Sequence, residues 1–412
     1  MYNEVFYIII GILLFGYILD QILEYLNAKR WSPELPKEVE GIYDAEKYRK
    51  SMQYHKENRR FSMITDTFSL TVILMMLFFA GFAWVDSLAR DVTNHPILVS
   101  LVFFGILMFA SDIINTPFSI YDTFVIEQKY GFNTTTVKTY ILDKIKGWFL
   151  TAIIGGGLLA LIIWFYQLTT DYFWLIAWGA VSAFSVFMAM FYSNLIVPLF
   201  NKQTPLEQGE LRDEIEQFSA KAGFKLDNIF VIDGSKRSTK SNAYFSGLGS
   251  KKRIVLFDTL IKDLTNQEIT AVLAHEIGHY RKKHTLSAIF LSIIQMGITF
   301  FILSLFIDSP VLAQALGVEQ PSFHIGLIAF GVLYSPISMI IGLGMNILSR
   351  KNEFQADKFA GENYDPGALQ SGLKKLSVKN LSNLTPHPVY VFFNYSHPPV
   401  LQRLKRLEEL KD

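Results

Sequence analysis

Residues 271–284 read AVLAHEIGHYRKKH, and from Leu286 the chain stays almost wholly apolar for the length of a bilayer crossing. A helix places residues four apart on one face. His275 and His279 can therefore direct two imidazoles at one ion, with Glu276 beside them. Thr265 and Glu268 form a T-x-x-E capping box ahead of the motif. The pattern predicts one continuous helix from there into the apolar segment. A polar, metal-competent helix is thus set at the foot of a membrane crossing.

Composition agrees with a membrane setting. Of 412 residues, 50% are hydrophobic, 35 are Phe and 18% carry charge; mean hydropathy is +0.27. A soluble chain of this length needs more polar surface to cover itself. The net charge of +1 implies no electrostatic preference for nucleic acid. The absence of cysteine excludes disulfides, thiolate catalysis and Cys-ligated zinc, which leaves His, Asp and Glu to hold any metal.

Apolar segments long enough to span a bilayer lie at about 5–26, 66–87, 97–120, 147–168, 173–198, 286–307 and 323–348, the third interrupted by Asp112 and Pro117. The first lacks the basic start and cleavage site of a signal peptide and reads as a retained span. Lys and Arg crowd the loops after the first and third segments. The loop after the second holds only Arg90, and 169–172 and 308–322 hold none. This alternation predicts seven spans, an outward N-terminus and a cytoplasmic C-terminus. The chain divides into 1–198 (spans one to five), 199–285 (cytoplasmic, with a helix at 207–222 and β-like runs at 228–233, 242–248 and 253–258), 286–348 (spans six and seven) and 349–412 (cytoplasmic, mostly helical), working as one integrated unit. Gly155, Gly156 and Gly157 are expected to allow close helix packing, and Asp112 is a mild functional candidate as an intramembrane charge.

Zinc lowers the pKa of a bound water to about 7, and Glu276 is placed to take the proton and pass it to a leaving amine. A catalytic zinc needs a third protein ligand. His284, five residues past His279, lies on a different helix face. Glu353, in SRKNEFQADKFA just past the seventh span, is the better candidate. Asp357, one turn later on the same face, is placed to accept the outer N–H of a ligating histidine. His55, His95, His284, His324 and His387 otherwise read as surface or packing residues.

HEIGH followed by NEFQAD resembles the type-I CAAX prenyl proteases, integral-membrane zinc endopeptidases that process prenylated proteins and pheromone precursors. The likeness covers nearly the whole chain, including EKYRKSMQY at 46–54, GFNTTTVKTYILDKIK at 131–146, SNAYFSGLG at 241–249 and NYSHPPVLQRLKRL at 394–407. It implies a mainly α, polytopic fold: seven transmembrane helices around an intramembrane chamber, with a small α+β zinc-protease portion on the cytoplasmic side. It implies His275, His279 and Glu353 as ligands of one Zn2+ per chain and Glu276 as the base. Asn242 would bind the substrate backbone, as suits an extended peptide adding to an edge strand. His397 would donate to the oxyanion, and Arg403 would hold the supporting carboxylates, Asp357 among them.

The expected activity is cleavage at the cytoplasmic membrane face that removes the C-terminal tripeptide of prenylated CAAX-type substrates. The partners are a peptide or protein with a lipidated tail and membrane lipid, with no nucleic acid. One alternative is a bacterial heat-shock membrane metalloprotease of quality control, whose chains are shorter with fewer spans. Another is a non-catalytic membrane protein that keeps the fold, against which the intact HExxH set argues. Zero cysteines and a C-terminus without a retrieval signal favour a bacterial inner membrane over the endoplasmic reticulum membrane.

Overall fold

The computed structural model describes residues 3–31, 34–35, 40–169, 171–223, 229–247 and 252–411; Asn228 and Leu248, at the ends of two expected strands, lie outside the described residues. Seven helices are long and apolar enough to cross a membrane: Glu4–Ala28, Ala45–Phe78, Pro96–Tyr130, Val137–Leu168, Phe173–Phe200, His284–Phe306 and Phe323–Asn363. They are spans 1 to 7 below.

Span 2 departs most from expectation. The apolar stretch 66–87 is not one helix, because Ala80 turns left-handed (φ 52°) and separates Ala45–Phe78 from a short helix, Gly81–Val92. Pro117 stays inside its helix and is followed by a π-helical turn, Asp122–Glu127. A second π turn, Thr151–Gly155, interrupts span 4. The expected close packing at the glycines of span 4 is absent. A Cβ on Gly156 would meet only Leu101, at 3.9 Å, and one on Gly157 would meet nothing within 4 Å. These glycines sit at the π turn, not at a helix crossing.

Each span touches the next in chain order, and span 7 touches span 1, which closes a ring. In spans 1 to 6 only 6–17% of an 18-residue apolar stretch is buried. The accessible surface is 21534 Å², whereas a compact chain of this mass would expose about 16,000 Å². The ring is a wall around an intramembrane chamber, not a filled bundle. One end is sealed by a buried cluster that includes Phe6, Phe82, Phe103, Leu312 and Ile325. There Asp86 Oδ1 accepts from His324 Nε2 at 2.7 Å, while His324 Nδ1 lies 3.0 Å from Ser100 Oγ.

The other end carries a four-stranded sheet in the order β1-β2-β4-β3, with β1 Gln203–Pro205, β2 Ile229–Ile232, β3 Ala243–Ser246 and β4 Arg253–Phe257. β2 and β4 pair in parallel and the other pairs are antiparallel, so β3 is an edge. The continuous apolar run at 254–257 buries Ile254, Val255 and Leu256 against its neighbours. The predicted helix at 207–222 is Glu210–Lys221, and it stops ahead of Gly223 (φ 66°).

The site helix, Asn266–Arg281, starts at the expected capping box: Glu268 N donates to Thr265 Oγ1 at 3.3 Å and Thr265 N to Glu268 Oε2 at 2.9 Å. It does not run on into span 6. Lys283 adopts a left-handed conformation (φ 60°), and span 6 begins afresh at His284. Span 7, by contrast, overshoots its apolar stretch and stays helical to Asn363. Its last turns cross the site helix closely. A Cβ on Gly278 would lie 3.1 Å from both Cα and O of Ala356, so any larger residue would push the two helices apart by a few tenths of an ångström. Ala271, Ala274, Ala356 and Ala360 are fully buried.

Candidate metal centre

The close approach at Gly278 brings Glu353 against both motif histidines. His275 Nε2 lies 3.5 Å from Glu353 Oε2, and His279 Nε2 lies 3.2 Å from Glu353 Oε1. The two Nε2 atoms are 3.1 Å apart. The ligand atoms of all three residues fall within 4.8 Å of one another. Two ligands of a tetrahedral zinc site, each about 2.0–2.1 Å from the ion, stand about 3.4 Å apart, and the three separations bracket that value. Glu353 Oε2 is buried and accepts no hydrogen bond, which leaves it free for a cation.

The outer hydrogen bonds decide which nitrogens face inward. The Asp357 carboxylate accepts from His275 Nδ1 at 2.9 Å. Arg403 grips the same carboxylate with two bonds, Nε to Oδ2 at 2.8 Å and Nη2 to Oδ1 at 2.6 Å. Its Nη1 also lies 3.4 Å from Glu353 Oε2. On the other side, His284 Nε2 donates to Gln355 Oε1 at 2.9 Å, since an amide oxygen can only accept. His284 Nδ1 therefore accepts from His279 Nδ1 at 3.0 Å. Both motif rings thus turn Nε2 inward. With both rings neutral, two lone pairs would face each other, an arrangement that demands a cation between them. Burial alone pushes the His275 imidazole down. The Asp357 and Glu353 carboxylates beside it outweigh burial and hold it up at about 9. The carboxylates that retain a proton there favour a divalent metal in its place.

His284 is a correction to the sequence reading. It is 7% exposed and partners His279, because the break at Lys283 folds it back over the site helix. No Gly or Pro marks that break. Gln355, between Glu353 and Asp357, was also missed, although its neighbours flagged the segment. Glu276 is half-buried, and among the described residues its carboxylate makes no hydrogen bond. His397 is brought to the cluster: its Nε2 lies 3.3 Å from Glu353 Oε1, with 64% of the side chain exposed. Asn242 is exposed just ahead of β3, and its side-chain oxygen accepts from Ala243 N at 2.9 Å. Among the described residues no hydrogen bond or ion pair joins it to the cluster. Asp112 lies apart, in an ion pair between spans 3 and 4, with both oxygens 2.9 Å from Lys144 Nζ.

Comparison with known proteins follows the same two-part organisation. Residues 24–202 match the family described as CAAX prenyl protease N-terminal, five membrane helices, and residues 205–411 match Peptidase family M48. The chain belongs to the type-I CAAX prenyl proteases of that family. It is 37% identical over 410 residues to a CAAX prenyl protease 1 homolog of Arabidopsis thaliana, across 97% of this chain and 96% of the relative. It is 36% identical to CAAX prenyl protease 1 of Saccharomyces cerevisiae, across 98% and 95%. The crystal structure of S. mikatae Ste24p aligns with a TM-score of 0.94 at 33% identity, across 99% of this chain and 100% of that one.

Family membership makes the protein an integral, multi-pass membrane metalloendopeptidase. The match to the five-helix N-terminal region separates it from the shorter quality-control proteases. These relatives are eukaryotic, which runs against the bacterial inner membrane favoured from composition.

Proposed function

We propose that the protein is a zinc endopeptidase that removes the C-terminal tripeptide from prenylated CAAX-type substrates at the cytoplasmic face of the membrane. The observation that carries this is the buried His275, His279 and Glu353 cluster at one end of a hollow ring of spans, in a chain whose relatives are named CAAX prenyl proteases. These three side chains hold one zinc ion, which when bound acidifies water and polarises the scissile carbonyl. Glu276 takes a proton from the attacking water and delivers it to the departing amine. Asp357 fixes the ring of His275, and Arg403 orients Asp357. His397, at the exposed rim, donates to the oxyanion. Asn242, at the start of edge strand β3, holds the extended substrate backbone. The lipid of the tail then lies in the chamber. The N-terminus is outside and the C-terminus cytoplasmic, supported by the Lys and Arg alternation. The four segments of the chain act as one unit, supported by Glu353 riding on the extension of span 7 while both histidines ride on the site helix.

The test uses purified protein in detergent with a farnesylated CAAX peptide and its unprenylated twin, read by mass spectrometry. Release of the tripeptide, faster from the prenylated peptide and lost in Glu276→Ala and with a zinc chelator, is the expected result. Equal cleavage of both peptides would reject lipid recognition. No cleavage with zinc bound would reject the substrate class.

A further inference from the structure

Between spans 2 and 3, at the end rich in Lys and Arg, lies a groove of about 770 Å³. One wall is a single face of span 2, where Lys56, Arg60 and Ile64 recur at four-residue spacing. Along this face the residues change from cationic to apolar between Arg60 and Phe61, as the helix enters the membrane. The opposite wall belongs to span 3, which runs the other way, from Phe118 and Tyr121 out to Lys129. Both walls therefore share one polarity gradient. From Lys56 to Ile64 is about 12 Å of helix, enough to cross the interfacial layer of about 5–8 Å in one leaflet.

The floor is aromatic: Phe61 stacks on Tyr121 with centroids 5.3 Å apart and lies 6.3 Å from Phe118. The one acid in the lining, Glu57, is taken by Lys129 at 2.5 Å and by the Tyr130 hydroxyl at 2.8 Å. Among the described residues, Lys56 and Arg60 make no ion pair and are exposed. The lining thus sets three cations, Lys56, Arg60 and Lys129, against the one acid Glu57, a net charge of +2 above an apolar slot at membrane depth. Anionic lipid headgroups are the ligands that basic pockets between membrane helices take on the cytoplasmic side.

We propose that this groove binds an anionic glycerophospholipid of the cytoplasmic leaflet, with its phosphate between Lys56 and Arg60 and an acyl chain along Phe61, Ile64 and Phe118. The proposal rests on the membrane orientation given above and not on the peptidase reading, so either can fail alone.

Full-length protein in detergent is titrated with phosphatidylserine and phosphatidylcholine and read by native mass spectrometry. The wild type is expected to retain phosphatidylserine at least about tenfold better. The double variant Lys56→Gln with Arg60→Gln loses that preference while keeping its thermal unfolding profile. A second double variant, Lys29→Gln with Arg30→Gln, makes the same charge change on exposed residues of the same face outside the groove and keeps the preference. The proposal is overturned if the wild type shows no preference or if both double variants lose it equally. It is also overturned if water-soluble glycerophosphoserine competes as well as the lipid, which would make this a phosphate site without an acyl slot. Displacement of bound lipid by the farnesylated peptide would reassign the groove to substrate and overturn it too.

Discussion

Where the site helix crosses the end of span 7, His275, Glu353, Asp357 and Arg403 are each 8% exposed or less, and each is tied to at least one of the others. In spans 1 to 6, no more than 17% of an apolar stretch is buried at all. The two regions solve different problems. A ligand set must hold its atoms to within a few tenths of an ångström, and only close packing with satisfied partners does that. A chamber wall needs only enough lateral contact to stay closed, because lipid covers its outside.

The largest expected contrast lies in the charge pairs. Asp357→Ala removes the acceptor for His275 and the bidentate partner of Arg403, and leaves a buried guanidinium with only Glu353 beside it. It should cost about 3–5 kcal/mol of stability and weaken zinc about 10–100-fold, measured by thermal unfolding and chelator competition. Lys144→Gln in the wall breaks the pair with Asp112, whose side chains are 20% and 36% exposed. A loss of about 1 kcal/mol or less is expected there. Equal losses would mean that the wall is as tightly organised as the site.

The same glycine substitution should take opposite signs in the two regions. Gly278→Ala drives a methyl against the Ala356 backbone at 3.1 Å and should destabilise by about 1–3 kcal/mol, with zinc weakened as Glu353 is pushed off the histidines. Gly157→Ala meets nothing within 4 Å, and helix propensity should make it neutral or stabilising by up to about 1 kcal/mol. Both are read by thermal unfolding. A destabilised Gly157→Ala would show that a neighbour closes on span 4 after all.

The cluster of candidate ligands was legible because helical spacing is local: His275 and His279, or Glu353 and Asp357, are one turn apart wherever their helices go. Hydropathy found every span but misplaced the second. Its helix begins at Ala45 among charges, and its end is set by a left-handed alanine that composition cannot flag. The break at Lys283 was hidden for the same reason, and with it the role of His284. Left-handed non-glycine residues are imposed by tertiary contact, not by propensity. The glycines of span 4 misled because a small residue permits close approach without requiring it. The missed partner makes its own prediction. His284→Leu should weaken zinc by about tenfold and lower the unfolding temperature, since the ring ties the start of span 6 to His279 on the site helix and to Gln355 on span 7.

The smallest effect concerns the start of the site helix, where packing and charge can be separated. Glu268 closes the capping box and accepts from Lys375 at 2.7 Å and Ser371 at 2.6 Å. Burial pushes its carboxyl up, but Lys375, Ser371 and the Thr265 amide outweigh burial and hold it below the usual carboxylate range. A depressed folded value means that the stabilisation is complete above the unfolded value of about 4.3 and is lost as pH falls through the folded one. Glu268→Gln keeps the box and removes the charge. At pH 7 it should lower the unfolding temperature by about 2 °C, a modest loss because Lys375 is half-exposed. The gap to wild type should narrow steadily as pH drops below 4. A gap that persists undiminished at pH 3 would place the loss in the packing and hydrogen-bond geometry around the side chain, not in its charge. The crossing would then be held at this end by shape alone, and its contrast with the wall would be one of packing, not of charge.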